Sequence, residues 1–172
     1  MKISKNGLLN LKTWEGSVVR DGLHRPYDDD NGREVQMGGS FVGFLTVGYG
    51  HFLDKSELNL EVIFIGDTTV EYWNGLTESQ ALSLLDEDLD WAEEAVRSGV
   101  TVDINQNQFD ALVSFTFNTG GTAFRNSTLL RLLNQGQHDE VPAQMARWKR
   151  SGGRVIQGLI RRRQHEADLW NS

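Results

Sequence analysis

The chain has no cysteine, so neither disulfides nor thiolate metal sites enter its chemistry. That composition fits a reducing birthplace. No stretch approaches the ~20 apolar residues of a membrane span, so stable membrane insertion is not expected. Met1 to Leu11 carries two lysines but lacks the apolar core of a secretory signal. Positive charge is scarce: 17 Lys and Arg stand against 24 Asp and Glu, for a net charge of -7. An acidic protein gains nothing from counterion release, which argues against nucleic acid as a partner. The charge is uneven, acidic from Glu78 to Glu94 and basic from Arg147 to Arg163, and reads as solvated helix faces. Repeats, low-complexity tracts and flexible linkers are also missing.

What is present suits one domain with two lobes. The 172 residues are 38% apolar and 24% charged, enough to bury a substantial core without staples. Apolar residues at Ile3, Leu8, Leu9 and Leu11 predict a short first helix ending before Gly16. From Ser17 to about Trp73 glycines are frequent. β-Branched and aromatic residues alternate in Phe41 to Tyr49 and Val62 to Tyr72, which predicts a small antiparallel sheet with long loops. Thr77-Glu78-Ser79-Gln80 is a capping box, and Leu82, Leu85, Leu89, Ala92 and Val96 then follow at helical spacing up to Gly99. Beyond it, 105–118, 127–134, 139–150 and 159–170 read as helices separated by Gly120-Gly121, Gly136 and Gly152-Gly153. The fold class is α+β. A sheet lobe spans about 15–75 and a long connecting helix about 76–98. A helical lobe follows over about 99–172, with 1–14 packed on it.

Three segments could carry chemistry. Cleaving a glycosidic bond takes an acid to protonate the leaving oxygen and a second carboxylate to activate water or attack the anomeric carbon. Glu15 lies at a helix end beside Trp14, where apolar neighbours favour a protonated acid. Taken alone, a Glu followed by Gly is as well explained by an ordinary surface residue. Asp28, Asp29 and Asp30 follow Pro26-Tyr27; they form either an Asp-rich turn or the source of the second carboxylate. The Asp-x-Asp-x-Asp-Gly spacing of a calcium loop is absent. Thr46-Val47-Gly48-Tyr49-Gly50-His51 places alternating glycines in a strand, which marks either a close approach of ligand or backbone or a bulged edge strand. His51 has no second histidine at ligand spacing, so no metal is expected there.

The order Glu15-Gly16, Tyr27-x-Asp29, Thr46-x-Gly48-x-Gly50-His51 resembles the active-site half of the phage-type lysozymes, glycoside hydrolase family 24. Gln108 to Gly120 is similar to the helix that lines their cleft, Asn126 to Leu130 to the next turn and helix, and Trp148 with Gly158 to Glu166 to their closing segment. The likeness runs from about Leu8 to Trp170. It implies a lysozyme-like fold and a muramidase that hydrolyses the β-1,4 bond between N-acetylmuramic acid and N-acetylglucosamine, without cofactor or metal. It implies that Glu15 is the general acid, that Asp29 positions or activates water, and that Thr46 assists on the same face. Gly50, Phe117, Asn118 and Arg161 would contact sugar, with Arg162 as the competing register for the arginine. His51 would pair with Asp88 in a structural role.

The resemblance departs at two loops. The step from Glu15-Gly16 to Tyr27 is about five residues longer than usual, and a second insertion spans roughly Arg33 to Phe44. These insertions leave Asp28, Asp29 and Asp30 as competing second carboxylates. The family further implies a phage or prophage endolysin, made in the host cytoplasm and released through a holin to act on peptidoglycan in the periplasm or cell wall. An exported antibacterial effector with a dedicated immunity protein is the alternative role. A lytic transglycosylase and a non-catalytic wall-binding module are the alternative chemistries.

Overall fold

The computed structural model describes all residues from Met1 to Ser172. In chain order the elements are α1 (Lys5–Leu11), β1 (Val18–Arg20), β2 (Leu23–Arg25), β3 (Tyr27–Asp28), β4 (Arg33–Glu34), β5 (Leu45–Val47), β6 (His51–Phe52), α2 (Lys55–Leu60), β7 (Ile63–Ile65), β8 (Thr68–Val70), α3 (Glu78–Asp88), α4 (Asp90–Gly99), α5 (Gln106–Thr119), α6 (Gly121–Arg125), α7 (Thr128–Leu133), α8 (Val141–Met145), β9 (Arg150–Ser151), β10 (Arg154–Val155) and α9 (Gln157–Trp170). They form two compact units, one of Lys12–Asp88 and one of Met1–Leu11 with Leu89–Ser172.

In the first unit, β4-β3-β5-β6 make a four-stranded antiparallel sheet, and β1-β2 and β7-β8 are separate hairpins. The β1-β2 turn is Asp21-Gly22, with φ of 53° and 75°. Positive φ at both central residues is what a two-residue hairpin demands, and Asp-Gly supplies it. The core packs Leu45, Val47, Leu53, Ile63, Tyr72 and Leu84, all buried. Strand β2 is tied to the start of α3 by paired backbone bonds between His24 and Leu76, at 2.8 and 2.9 Å.

The second unit is built around α5, whose residues from Phe109 to Thr116 are all buried. An Asn105–Gln108 capping box starts this helix. The pattern-based helix over 76–98 is two helices, because the backbone tightens at Leu89. The Leu89 carbonyl accepts from both Ala92 and Glu93 at 2.9 Å, a turn with 3₁₀ character that restarts the helix as α4. The apolar stripe passes through the break, so periodicity alone does not reveal it. The helix expected over 139–150 is also shorter: a 3₁₀ turn at His138–Glu140 precedes α8, and the chain then turns into the β9-β10 hairpin at Gly152-Gly153.

Helix α1 is docked through one carboxylate. Buried Asp110 accepts the Ser4 backbone N–H at 3.0 Å, the Ser4 hydroxyl, and the Gln106 amide at 2.8 Å. Gly7 lies directly against it: a Cβ at this position would sit 2.5 Å from Asp110 Cγ. Replacing a helical glycine with alanine ordinarily gains about 1 kcal/mol. Here the sign should invert, with Gly7→Ala losing about 1–3 kcal/mol through overpacking, measured by thermal or urea unfolding.

Candidate active site

The β3–β5 register arranges the site in the first unit. Tyr27 lies opposite Thr46 and Asp28 opposite Leu45. The pairing runs on one residue: the Asp29 N–H donates to the Phe44 carbonyl at 3.1 Å, and the Phe44 N–H donates to Asp29 Oδ1 at 2.6 Å. Side chains alternate along strands, so Tyr27, Asp29, Phe44 and Thr46 share one face while Asp28 and Leu45 share the other.

That alternation separates the acidic cluster by role. Asp28 is buried, and it accepts the backbone N–H groups of Val42, Gly43 and Asp30 at 2.9, 3.0 and 3.1 Å and the Asn31 amide at 2.7 Å. The Val42 bond is the largest cause, and together these donors, against burial, hold its carboxyl below the usual range. Asp28 is therefore spent on closing the 28–43 loop. Asp29 is exposed, and only one of its oxygens meets the Phe44 N–H. Asp30 is exposed as well. The loop passes so close to these carboxylates that a Cβ on Gly43 would fall 2.2 Å from Asp29 Oδ1.

Glu15 comes to the Tyr27–Thr46 face through a turn after α1, in which its N–H donates to the Lys12 carbonyl at 3.3 Å. The Tyr27 hydroxyl donates to the Gly16 carbonyl at 3.2 Å. Burial raises the Tyr27 phenol above its ordinary range, and the charges of Glu15 and Asp29 raise it further. Tyr27 thus senses both carboxylates. Gly50 has φ of +87°, and a Cβ there would lie 4.0 Å from Glu15 Oε2. Thr46 is buried, its hydroxyl donating to the Phe44 carbonyl at 3.2 Å. Glu15, Asp29, Thr46 and Gly50 are brought together around Tyr27, which the sequence offered only as a motif marker.

His51 holds Asp88 through Nδ1 at 2.9 Å and Glu57 through Nε2 at 3.1 Å. Glu57 is a partner the sequence reading missed, although it was legible as the N3 residue of an Asp54 capping box. In the second unit, Phe117 stacks on Trp91 with ring centroids 5.8 Å apart. Asn118 borders a cavity of about 540 Å³ with Trp148, Arg150 and Leu159. The three arginines of α9 take different surroundings. Arg161 is exposed on α9, and the guanidinium that meets Asn118 is that of Arg163, at 2.7 Å. Arg162 and Arg163 are both buried against Glu166, which also accepts the Ser114 hydroxyl at 2.9 Å. The i,i+3 and i,i+4 spacing of Arg163 and Arg162 to Glu166 was the signal for this register.

Burial lowers the His51 pKa, but the hydrogen bonds and charges of Asp88 and Glu57 outweigh it and leave the imidazole above its ordinary 6.5. A raised folded value means that the protonated pair stabilises fully below the unfolded pKa and loses its contribution as pH rises through the folded one. The melting temperature should therefore fall by a few degrees as pH climbs from about 6.5 to about 8, in the range where histidine titrates. Asp88→Asn should flatten that fall and lower the His51 midpoint followed by NMR.

The phage lysozyme family model matches residues 28–166. The endolysin of Bacillus phage PZA is 34% identical over 172 residues, covering 100% of this chain and 56% of the relative. The chain thus spans about half the length of the Bacillus phage relatives it matches. The endolysin of Salmonella phage P22 is 34% identical over 167 residues, 97% of either protein. A crystal structure of a P22 lysozyme mutant superposes with a TM-score of 0.76 at 33% identity, covering 100% of this chain and 99% of that one. The chain belongs to the phage lysozyme family.

Proposed function

We propose that this chain is an N-acetylmuramidase that hydrolyses the β-1,4 bond between N-acetylmuramic acid and N-acetylglucosamine in peptidoglycan. The observation that carries the reading is the single sheet face holding Tyr27, Asp29 and Thr46, with Glu15 set against Tyr27 and Gly50. Glu15 acts as the general acid that protonates the leaving glycosidic oxygen. Asp29 activates or orients the water through the oxygen that Phe44 does not occupy, and Thr46 helps hold that water. Asp29 is favoured over Asp28 because both Asp28 oxygens already accept from the Val42, Gly43 and Asp30 N–H groups and the Asn31 amide. Asn118, oriented by Arg163 beside its cavity, and Phe117 are sugar contacts on the helical unit. Membership in a family whose relatives carry the name endolysin favours the phage lysis role. A holin is the partner of that role, and an immunity protein would be the partner of an exported effector. No helix is long and apolar enough to cross a membrane.

The test is mass spectrometry of soluble products from purified peptidoglycan, with wild type, Glu15→Gln and Asp29→Asn compared. Wild type should release muropeptides with reducing ends. Each variant should lose at least about 100-fold in rate while keeping its melting temperature. Asp28→Asn should do the reverse, lowering the melting temperature by several degrees and keeping most of the activity per folded molecule. Anhydro-muropeptides from wild type would identify a transglycosylase, and no products with wall binding retained would identify a binding module.

A further inference from the structure

Glu78, the first residue of α3, gathers three side chains from around the site. Its Oε1 accepts Lys12 Nζ at 2.8 Å, its Oε2 meets His24 Nε2 at 2.9 Å, and the Tyr49 hydroxyl reaches both oxygens at 2.9 and 2.8 Å. His24 is buried, and its other nitrogen, Nδ1, meets the Ser17 hydroxyl at 2.6 Å. With Nε2–H donating to Glu78, Nδ1 is the acceptor for Ser17. The three partner groups also pack on one another: the His24 and Tyr49 rings meet edge-on at 4.9 Å, and Lys12 Nζ lies 5.9 Å from the Tyr49 centroid.

The positions of these partners give the cluster its meaning. Lys12 opens the turn whose carbonyl accepts the Glu15 N–H. Gly16 is held by Tyr27, and Ser17 by His24. Tyr49 adjoins Gly50, the residue against Glu15 Oε2. Glu78 is thus fastened to Lys12, to Ser17 through His24, and to the neighbour of Gly50, which flank Glu15 along the chain or in space.

We propose that Glu78 is a positioning residue for Glu15, holding through Lys12, His24 and Tyr49 the turn that aims the Glu15 carboxyl. This rests on Glu15 being the acid of the proposed muramidase. Glu78 does not itself touch the reacting atoms. Its hydrogen bond from Lys12, followed by those from His24 and Tyr49, outweighs burial and holds its pKa at about 2. It stays a carboxylate throughout the working pH range, a state the positive end of α3 also favours.

The test combines kinetics on a soluble labelled peptidoglycan fragment with the ¹³C carboxyl signal of Glu15, assigned by its loss in Glu15→Gln. Glu78→Ala should lower kcat by about 10- to 100-fold with KM within about twofold, the signature of a misplaced catalytic group. Glu78→Gln should restore part of the rate, because its amide oxygen still accepts. Tyr49→Phe keeps the ring and the packing, and should cost about threefold, the worth of one hydrogen bond. In each case the Glu15 signal should shift. Folded Glu78→Ala and Tyr49→Phe with unchanged kcat and an unmoved Glu15 signal would overturn the proposal. If wild type releases no reducing muropeptides, the muramidase reading fails separately. A Glu15 signal that still moves in Glu78→Ala would then uphold the positioning role.

Discussion

Everything chemical in the sheet-bearing unit depends on the register of β3 against β5. Strand side chains alternate, so the pairing of Tyr27 with Thr46 decides which of three successive aspartates reaches the face shared with Glu15. A slip of one residue would carry Asp28 to that face and turn Asp29 away. The structure guards against such a slip through Asp28, which gathers donors from Val42, Gly43, Asp30 and Asn31. A carboxylate with that many bonds cannot change faces without leaving several backbone N–H groups unsatisfied.

Much of this was legible in the sequence, and the exceptions have physical causes. The spacing Thr46-x-Gly48-x-Gly50-His51 located a strand, but its glycines lie in the turn from β5 to β6, where Gly48 and Gly50 take φ of 62° and 87°, rather than within the strand. The three aspartates were ambiguous, because the loop after them breaks the motif spacing; strand alternation resolves them only once the register is known. The 76–98 helix looked continuous because a one-residue tightening at Leu89 leaves the apolar stripe in phase. The arginine triplet on α9 also hid its directions. Three consecutive arginines share composition but not direction, and helical geometry points Arg161 to solvent while Arg162 and Arg163 turn inward to Glu166.

Polar contacts rather than apolar ones specify the detail in both units. Asp110 seats the chain's first helix, Glu166 balances two buried guanidinium groups, and His51 joins Asp88 to Glu57. Asp110 and Glu166 each gather several donors, so removing either would strand them in a poorly solvated place. Apolar periodicity reveals where a core lies, but these anions determine which neighbours sit at its edge. Their partners are remote in sequence, which is why pattern reading finds the elements more readily than the contacts.

The closure of the 28–43 loop by Asp28 has a consequence for how such proteins diversify. The bonds to Val42 and Gly43 fasten the end of the loop, while Arg33 and Glu34 pair with β3 at its beginning. Between these anchors, residues 36–41 are all exposed. Loop-closure entropy grows only slowly with length, so this segment can be exchanged or extended without moving Asp29 or Thr46. The sheet unit thereby holds an interchangeable cassette beside the proposed reaction centre, where sequence can change without disturbing the anchors on either side.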